Sequence, residues 1–202
     1  MSTTGTGKPE GWLIPYLPGA LVVMPPKETQ TRIGRLRRRY DPTSAQLIPA
    51  HVTVTQPFRN QPERRELGLI QKILRRFRPF RVQYGPLKTF LPYPCIWYEI
   101  QPAERLLGIR RELHATGLFN TDLPHTRDFT PHMSITDGSP GPKETERIYH
   151  RIKARVGQGS FVVTTLTYTR PDWQMRFKAI EHLSLGIPGA EQDQVGRARH
   201  TP

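Results

Sequence analysis

Two short segments, Ala50-His51-Val52-Thr53-Val54-Thr55 and Pro131-His132-Met133-Ser134-Ile135-Thr136, constrain the fold more than anything else in this chain. Each alternates polar and apolar residues, which is the period of a half-buried strand and not of a helix. In a strand, residues i, i+2 and i+4 share a face. His51, Thr53 and Thr55 then point one way while Val52 and Val54 enter a core, and His132, Ser134 and Thr136 stand in the same relation to Met133 and Ile135. Two imidazoles, each with a hydroxyl on its own face, are placed to line one cleft.

Strand and helix patterns surround these segments. Residues 1–18, rich in Gly, Thr and Pro, read as a flexible N-terminal segment. Gly5-Thr6-Gly7-Lys8 has the outline of a phosphate loop, but Pro9 stands where a hydroxyl is required and no strand precedes it. Residues 20–24 read as a central strand closed by Pro25-Pro26. Ile33, Leu36 and Tyr40 mark one face of a helix, around which Arg32, Arg35, Arg37, Arg38 and Arg39 read as a solvated face. Leu67, Ile70, Leu74 and Phe77 predict a second helix between Pro62 and Pro79, and residues 80–84 and 87–91 a hairpin that turns at Gly85-Pro86. The second half repeats the order: a strand over 95–100, a helix on Leu106, Ile109 and Leu113, the second histidine strand, a helix on Ile148, Ile152 and Val156, and strands over 161–168 and 175–185. Residues 188–202 read as a disordered tail.

From His51 to Val82 and from His132 to Val163 the interval is 31 residues in both cases. The segments 19–91 and 95–187 therefore read as pseudo-repeats that build two similar lobes. His182-Leu183-Ser184 fits the same formula, but it falls in a trailing strand for which the first unit has no counterpart histidine. His182 reads as a strand residue with a local hydrogen bond.

The formal net charge of +13 points to a polyanionic partner, nucleic acid or an acidic membrane surface. The single cysteine, Cys95, excludes an intramolecular disulfide framework and fits a reducing cytoplasm; in its apolar run it reads as a buried strand thiol. No apolar run approaches the roughly 20 residues that cross a bilayer, and Met1–Pro9 lacks a signal pattern. A cytoplasmic monomer with no membrane partner is expected.

The residues His51-Val52-Thr53-Val54 with Pro57-Phe58, and Phe129-Thr130-Pro131-His132-Met133-Ser134-Ile135, resemble the paired motif of the two-histidine phosphoesterase superfamily, in particular its 2′-5′ RNA ligase-like or RNA 2′,3′-cyclic phosphodiesterase group. The similarity covers roughly residues 19–187. It implies a bilobal α+β fold, an antiparallel sheet with flanking helices in each lobe, and a catalytic cleft between the lobes. It implies metal-independent hydrolysis of a 2′,3′-cyclic phosphate on an RNA end or nucleotide to a 2′-phosphate, without a cofactor. His51 and His132 would be the catalytic pair, with His51 as acid and His132 as base, and Thr53 and Ser134 would bind the phosphate; Ser134 stands where threonine is more usual and keeps the hydroxyl.

That chemistry suits these side chains. Attack by water needs a base, the departing ribose oxygen needs an acid, and two imidazoles on opposite sides of phosphorus supply both. Hydroxyl donors can stabilise the charge that grows on the phosphoryl oxygens. His125 and Arg127 precede the second strand as candidate phosphate ligands, and Phe58 and Phe129 as candidate stacking partners for a base, against ordinary loop and core roles. No metal-ligand spacing accompanies His125 and His132. Two other readings use the same residues or the same charge: 2′-5′ RNA ligation at the same site, and a non-catalytic RNA-binding protein on the same fold.

Overall fold

A computed structural model of the chain describes residues 11–123 and 129–186. The fold is α+β and bilobal, with two four-stranded antiparallel sheets and flanking helices. A 3₁₀ helix, Gly11–Tyr16, leads into β1 (Ala20–Val23), α1 (Lys27–Tyr40), α2 (Pro42–Leu47), β2 (Val52–Thr53), α3 (Arg64–Leu74) and β3 (Phe80–Phe90). Then come β4 (Tyr93–Gln101), α4 (Glu104–His114), β5 (His132–Asp137), α5 (Pro142–Ile152), β6 (Gly159–Val163), β7 (Thr165–Pro171) and β8 (Phe177–Ser184). Sheet one has the order β2-β1-β7-β8 and sheet two β5-β4-β3-β6, so each histidine segment lies at an edge.

The sheets exchange strands. β3, which follows the first histidine strand and α3, pairs with β4 and β6 in the sheet of His132. The 31-residue interval therefore ends, both times, in sheet two, with Phe80 opposite Val163 and Val82 opposite Phe161. Val82 and Val163 are neighbours across one ladder and not matching points of two lobes. Residues 161–168, read as one strand, are two: burial alternates through Phe161 and Val163, then Leu166, Thr167 and Tyr168 are all buried as the chain crosses into sheet one.

The hairpin expected at Gly85-Pro86 is a bend inside one long strand. Pairing to β4 shifts between Tyr84 and Leu87, Gly85 sits at φ +118°, and a Cβ there would run into the Gln158 side chain. Glycine permits both the backbone angle and the close approach, and the turn comes later, between β3 and β4. α2 occupies residues read as loop; Asp41 caps it, accepting from Ser44 N at 3.0 Å and from the Ser44 hydroxyl at 2.7 Å.

One apolar core joins both sheets. It holds Leu21, Val23 and Val52 of sheet one, Val82, Tyr98 and Met133 of sheet two, and the predicted helix faces Leu67, Ile70, Leu74, Leu106, Ile109, Leu113, Ile148 and Ile152. Phe58, a candidate base-stacking residue from sequence, belongs to it. The ring is 1% exposed, stacked on Phe119 at 4.5 Å and set edge-on to Tyr168, so it has no surface to offer a ligand. Such aromatic pairs add about 0.5–1.5 kcal/mol beyond their buried area.

Candidate active site

The two edge strands, one from each sheet, come together. Cα atoms of β2 and β5 come within 8 Å of one another, and the charge of a protonated His132 is felt at His51. The two imidazoles are held alike: His51 Nδ1 lies 2.9 Å from the carbonyl of Pro49 and His132 Nδ1 2.7 Å from that of Thr130, each two residues back along the chain. A carbonyl only accepts, so each Nδ1 carries the hydrogen. Each Nε2 then serves as acceptor when the ring is neutral and donor when it is charged.

Thr53 and Ser134, one place further along each face, are partly exposed beside their histidines. Thr55 and Thr136, expected on the same faces, are not there: they are 1% and 0% exposed. Each strand bulges after its second polar residue. Val54 N and Thr55 N both donate to Leu21 O, at 3.0 and 3.3 Å, and in β5 the pairing to β4 slips between Trp97 and Ile96. The extra residue turns the next threonine inward. There Thr55 Oγ1 accepts from Leu21 N at 3.0 Å and Thr136 Oγ1 from Ile96 N at 2.9 Å.

The free edge of each histidine strand is clasped by a helix from the opposite half. Arg37 Nη1, on α1, donates to Ser134 O at 2.8 Å, and Asp41, at the junction of α1 and α2, accepts from Asp137 N at 2.7 Å. On α4, Arg110 Nη1 donates to Val54 O at 2.8 Å, and His114, four residues on, accepts at Nε2 from Gln56 N at 3.1 Å. An i, i+4 pair stands on one helix face, so donor and acceptor can imitate the missing neighbour strand and blunt an open edge. Arg37 also donates to Ser44 O and Ile48 O at 3.0 and 3.1 Å. Arg37 and Arg110 are 3% and 6% exposed, so Arg37 departs from the solvated face expected of it. The available signal was position: Arg37 follows Ile33 by four residues, and Arg110 stands between Leu106 and His114.

Burial pushes the His51 imidazole down to about 4, helped by the charges of Arg37 and His132 and opposed by its bond to Pro49. His114 is also pushed down to about 4, by burial and then by Arg110. Cys95 is buried, its thiol 3.7 Å from the Ser134 hydroxyl and pushed up to about 12 by burial and by Asp137. It is a packed thiol and no nucleophile. His182 is exposed on β8, its Nδ1 2.9 Å from Thr167 Oγ1. Phe129 is half-buried under the Arg110 guanidinium, 4.1 Å from its ring centroid. His125 and Arg127 lie outside the described residues. Among the described residues, no three His, Cys, Asp or Glu side chains converge as metal ligands, and no helix is long and apolar enough to cross a membrane.

The family described as the 2′-5′ RNA ligase superfamily matches residues 25–172 of this chain, a span that includes both clasped histidine strands. The chain belongs to that superfamily. A Bacillus anthracis (strain A0248) relative named "Putative phosphoesterase" is 31% identical over 121 residues, which is 58% of this chain and 68% of the relative. A Bacillus cereus (strain B4264) protein with the same description has the same identity and coverage. Among solved structures, E. coli LigT complexed with 3′-AMP aligns at TM-score 0.55 and 16% identity over 82% of this chain and 96% of that one. TT0787 of Thermus thermophilus aligns with the same score, identity and coverage. The superfamily's bilobal fold is thus present here, and the chain is a phosphoesterase-superfamily enzyme.

Proposed function

We propose that this chain hydrolyses a 2′,3′-cyclic phosphate, on an RNA end or a nucleotide, to a 2′-phosphate. One observation carries the reading: two imidazoles on neighbouring edge strands, each with Nδ1 committed to a carbonyl two residues back, leave two Nε2 atoms for the reaction. One ring takes a proton from water as its oxygen bonds to phosphorus; the P–O3′ bond breaks, and the other ring gives its proton to O3′. The Thr53 and Ser134 hydroxyls, partly exposed on the same faces, donate to the phosphoryl oxygens as they gain charge. The resemblance gives His51 the acid's part. Burial keeps the resting ring neutral, so in that part His51 takes up its proton in the complex, where the phosphate anion offsets desolvation.

The test is turnover of a 2′,3′-cyclic nucleotide by purified protein with a chelator present, followed by chromatography of the product. A 2′-phosphate from wild type and its disappearance in His51→Ala and His132→Ala support the reading; full activity in either variant sinks it. The name of the matching family favours a second reading, in which the 5′-hydroxyl of an RNA replaces water: one histidine takes its proton as the 5′-oxygen bonds to phosphorus, the P–O3′ bond breaks, the other histidine gives its proton to O3′, and a 2′-5′ linkage remains. Joined product from such an RNA separates the two. The net charge of +13 suits an RNA substrate, whose binding would weaken steeply as salt rises.

A further inference from the structure

We propose that Phe90, backed by Trp97, is the stacking platform for the base of the nucleoside that carries the cyclic phosphate. This rests on the proposed phosphodiesterase function and adds the part of the substrate that the acid–base pair does not touch.

The platform follows from register. Trp97 stands opposite Ser134 on β5 and opposite Lys88 on β3, and Glu99 opposite His132. Paired residues share a face, so the indole lies on the face that carries His132 and Ser134. Phe90 stacks on that indole, centroids 4.5 Å apart and planes 18° apart, and meets the His132 ring edge-on at 5.3 Å. Trp97 meets the same imidazole at 5.6 Å. The three rings form a corner with the catalytic candidate as one wall.

The burial of the two stacked rings differs. Trp97 is 4% exposed and Phe90 is 37% exposed. One face of Phe90 is taken by the indole, so its open area lies on the side away from Trp97. Exposing that ring costs hydration free energy that a polar side chain at the end of a strand would avoid. Trp97 carries a second cost, since its Nε1–H is buried without a partner, a penalty that phenylalanine at this position would not incur. What both residues provide is a broad, rigid, flat surface beside the phosphoryl site. In a cyclic nucleotide the flat apolar part is the base, joined to the reacting phosphate through one ribose. Stacking of this kind accepts any base, because every base has a π-face. Phe58 cannot take the role, being in the core, and Phe129 carries the Arg110 guanidinium on its ring in place of a second aromatic ring beside His132.

The experiment compares full-length wild type, Phe90→Ala and Phe90→Tyr on two substrates: adenosine 2′,3′-cyclic phosphate, and the methyl riboside 2′,3′-cyclic phosphate that lacks a base. Phe90→Ala is expected to lose roughly 10-fold in kcat/KM on the nucleotide, carried by KM. On the baseless substrate it stays within about 2-fold, and Phe90→Tyr stays near wild type on both. Equal losses on both substrates, or no loss on the nucleotide, overturn the platform; the second result would leave the exposed ring to a protein partner. Calorimetry with adenosine 2′-phosphate and with inorganic phosphate gives a readout free of turnover. Phe90→Ala should weaken only the former. If wild type turns over neither substrate, the hydrolase reading fails, and calorimetry still decides whether a base stacks on Phe90.

Discussion

His51 and His132 stand on strands that are one device built twice. Each imidazole hangs from a carbonyl two residues back, each strand bulges so that a buried threonine takes a neighbour's N–H, and each free edge is held by an arginine and an acceptor on a helix from the other half. The walls differ. His51 sits near Arg37, and desolvation together with that charge holds its imidazole down to about 4, whereas His132 stands in an aromatic corner of Phe90 and Trp97. The repeated backbone sets where the two Nε2 atoms lie, and the unrepeated side chains set what each meets. A pair of like groups in unlike surroundings is how one site comes to hold both an acid and a base.

His51→Ala and His132→Ala should each lower kcat on a 2′,3′-cyclic nucleotide by about 100-fold to 10,000-fold; a loss confined to one of them would show that the repeat is structural and only one strand is chemical. Next come the clasps. Arg37→Ala removes three charged hydrogen bonds, to the Ser134, Ser44 and Ile48 carbonyls, and Arg110→Ala that to the Val54 carbonyl, each at a cost of about 2–4 kcal/mol in urea unfolding. Similar costs mean that the two clasps are equivalent. The buried threonines come third: Thr55→Val and Thr136→Val leave Leu21 N and Ile96 N unpaired, for about 1–3 kcal/mol each.

Acid acts through the histidines on either side of this frame. His51 and His114 hold about 4 in the folded chain against about 6.5 unfolded. Between those values the unfolded chain binds more protons, so their contribution is complete above about pH 6.5 and is lost as pH falls toward 4. His114→Gln keeps an acceptor for Gln56 N and should remove about 1–2 kcal/mol of that acid sensitivity in unfolding curves at pH 4.5 and 7. Arg37→Gln should raise the His51 pKa and leave His114 in place, and Arg110→Gln should do the reverse, as followed by imidazole NMR shifts.

Periodicity made the strands, the helix faces and the histidine pair legible before any coordinates, because alternation and i, i+4 spacing follow directly from which face is buried. Identity of partners was not legible. Arg37 and Arg110 look like surface charges until the edge strands that they clasp are in place, and Phe58 looks like a surface ring until Phe119 and Tyr168 close over it. The bulges that bury Thr55 and Thr136 break the very alternation that located the strands. Phe90 gave no signal at all, since its meaning comes from Trp97 across the β3–β4 hairpin and from His132 far along the chain, brought to it by sheet register. The equal 31-residue intervals were real and their meaning was different, because β3 leaves the first half for the other sheet.

That exchange makes the enzyme divisible in an unusual way. A cut at the tip of the β3–β4 hairpin would give two fragments, and both sheets would need strands from both fragments: β2 and β1 from one with β7 and β8 from the other, and β3 from the first with β4, β5 and β6 from the second. Neither fragment holds both histidines. Any chemistry that needs both histidines would return only on mixing, which makes the split protein a self-reporting sensor for whatever brings its two parts together.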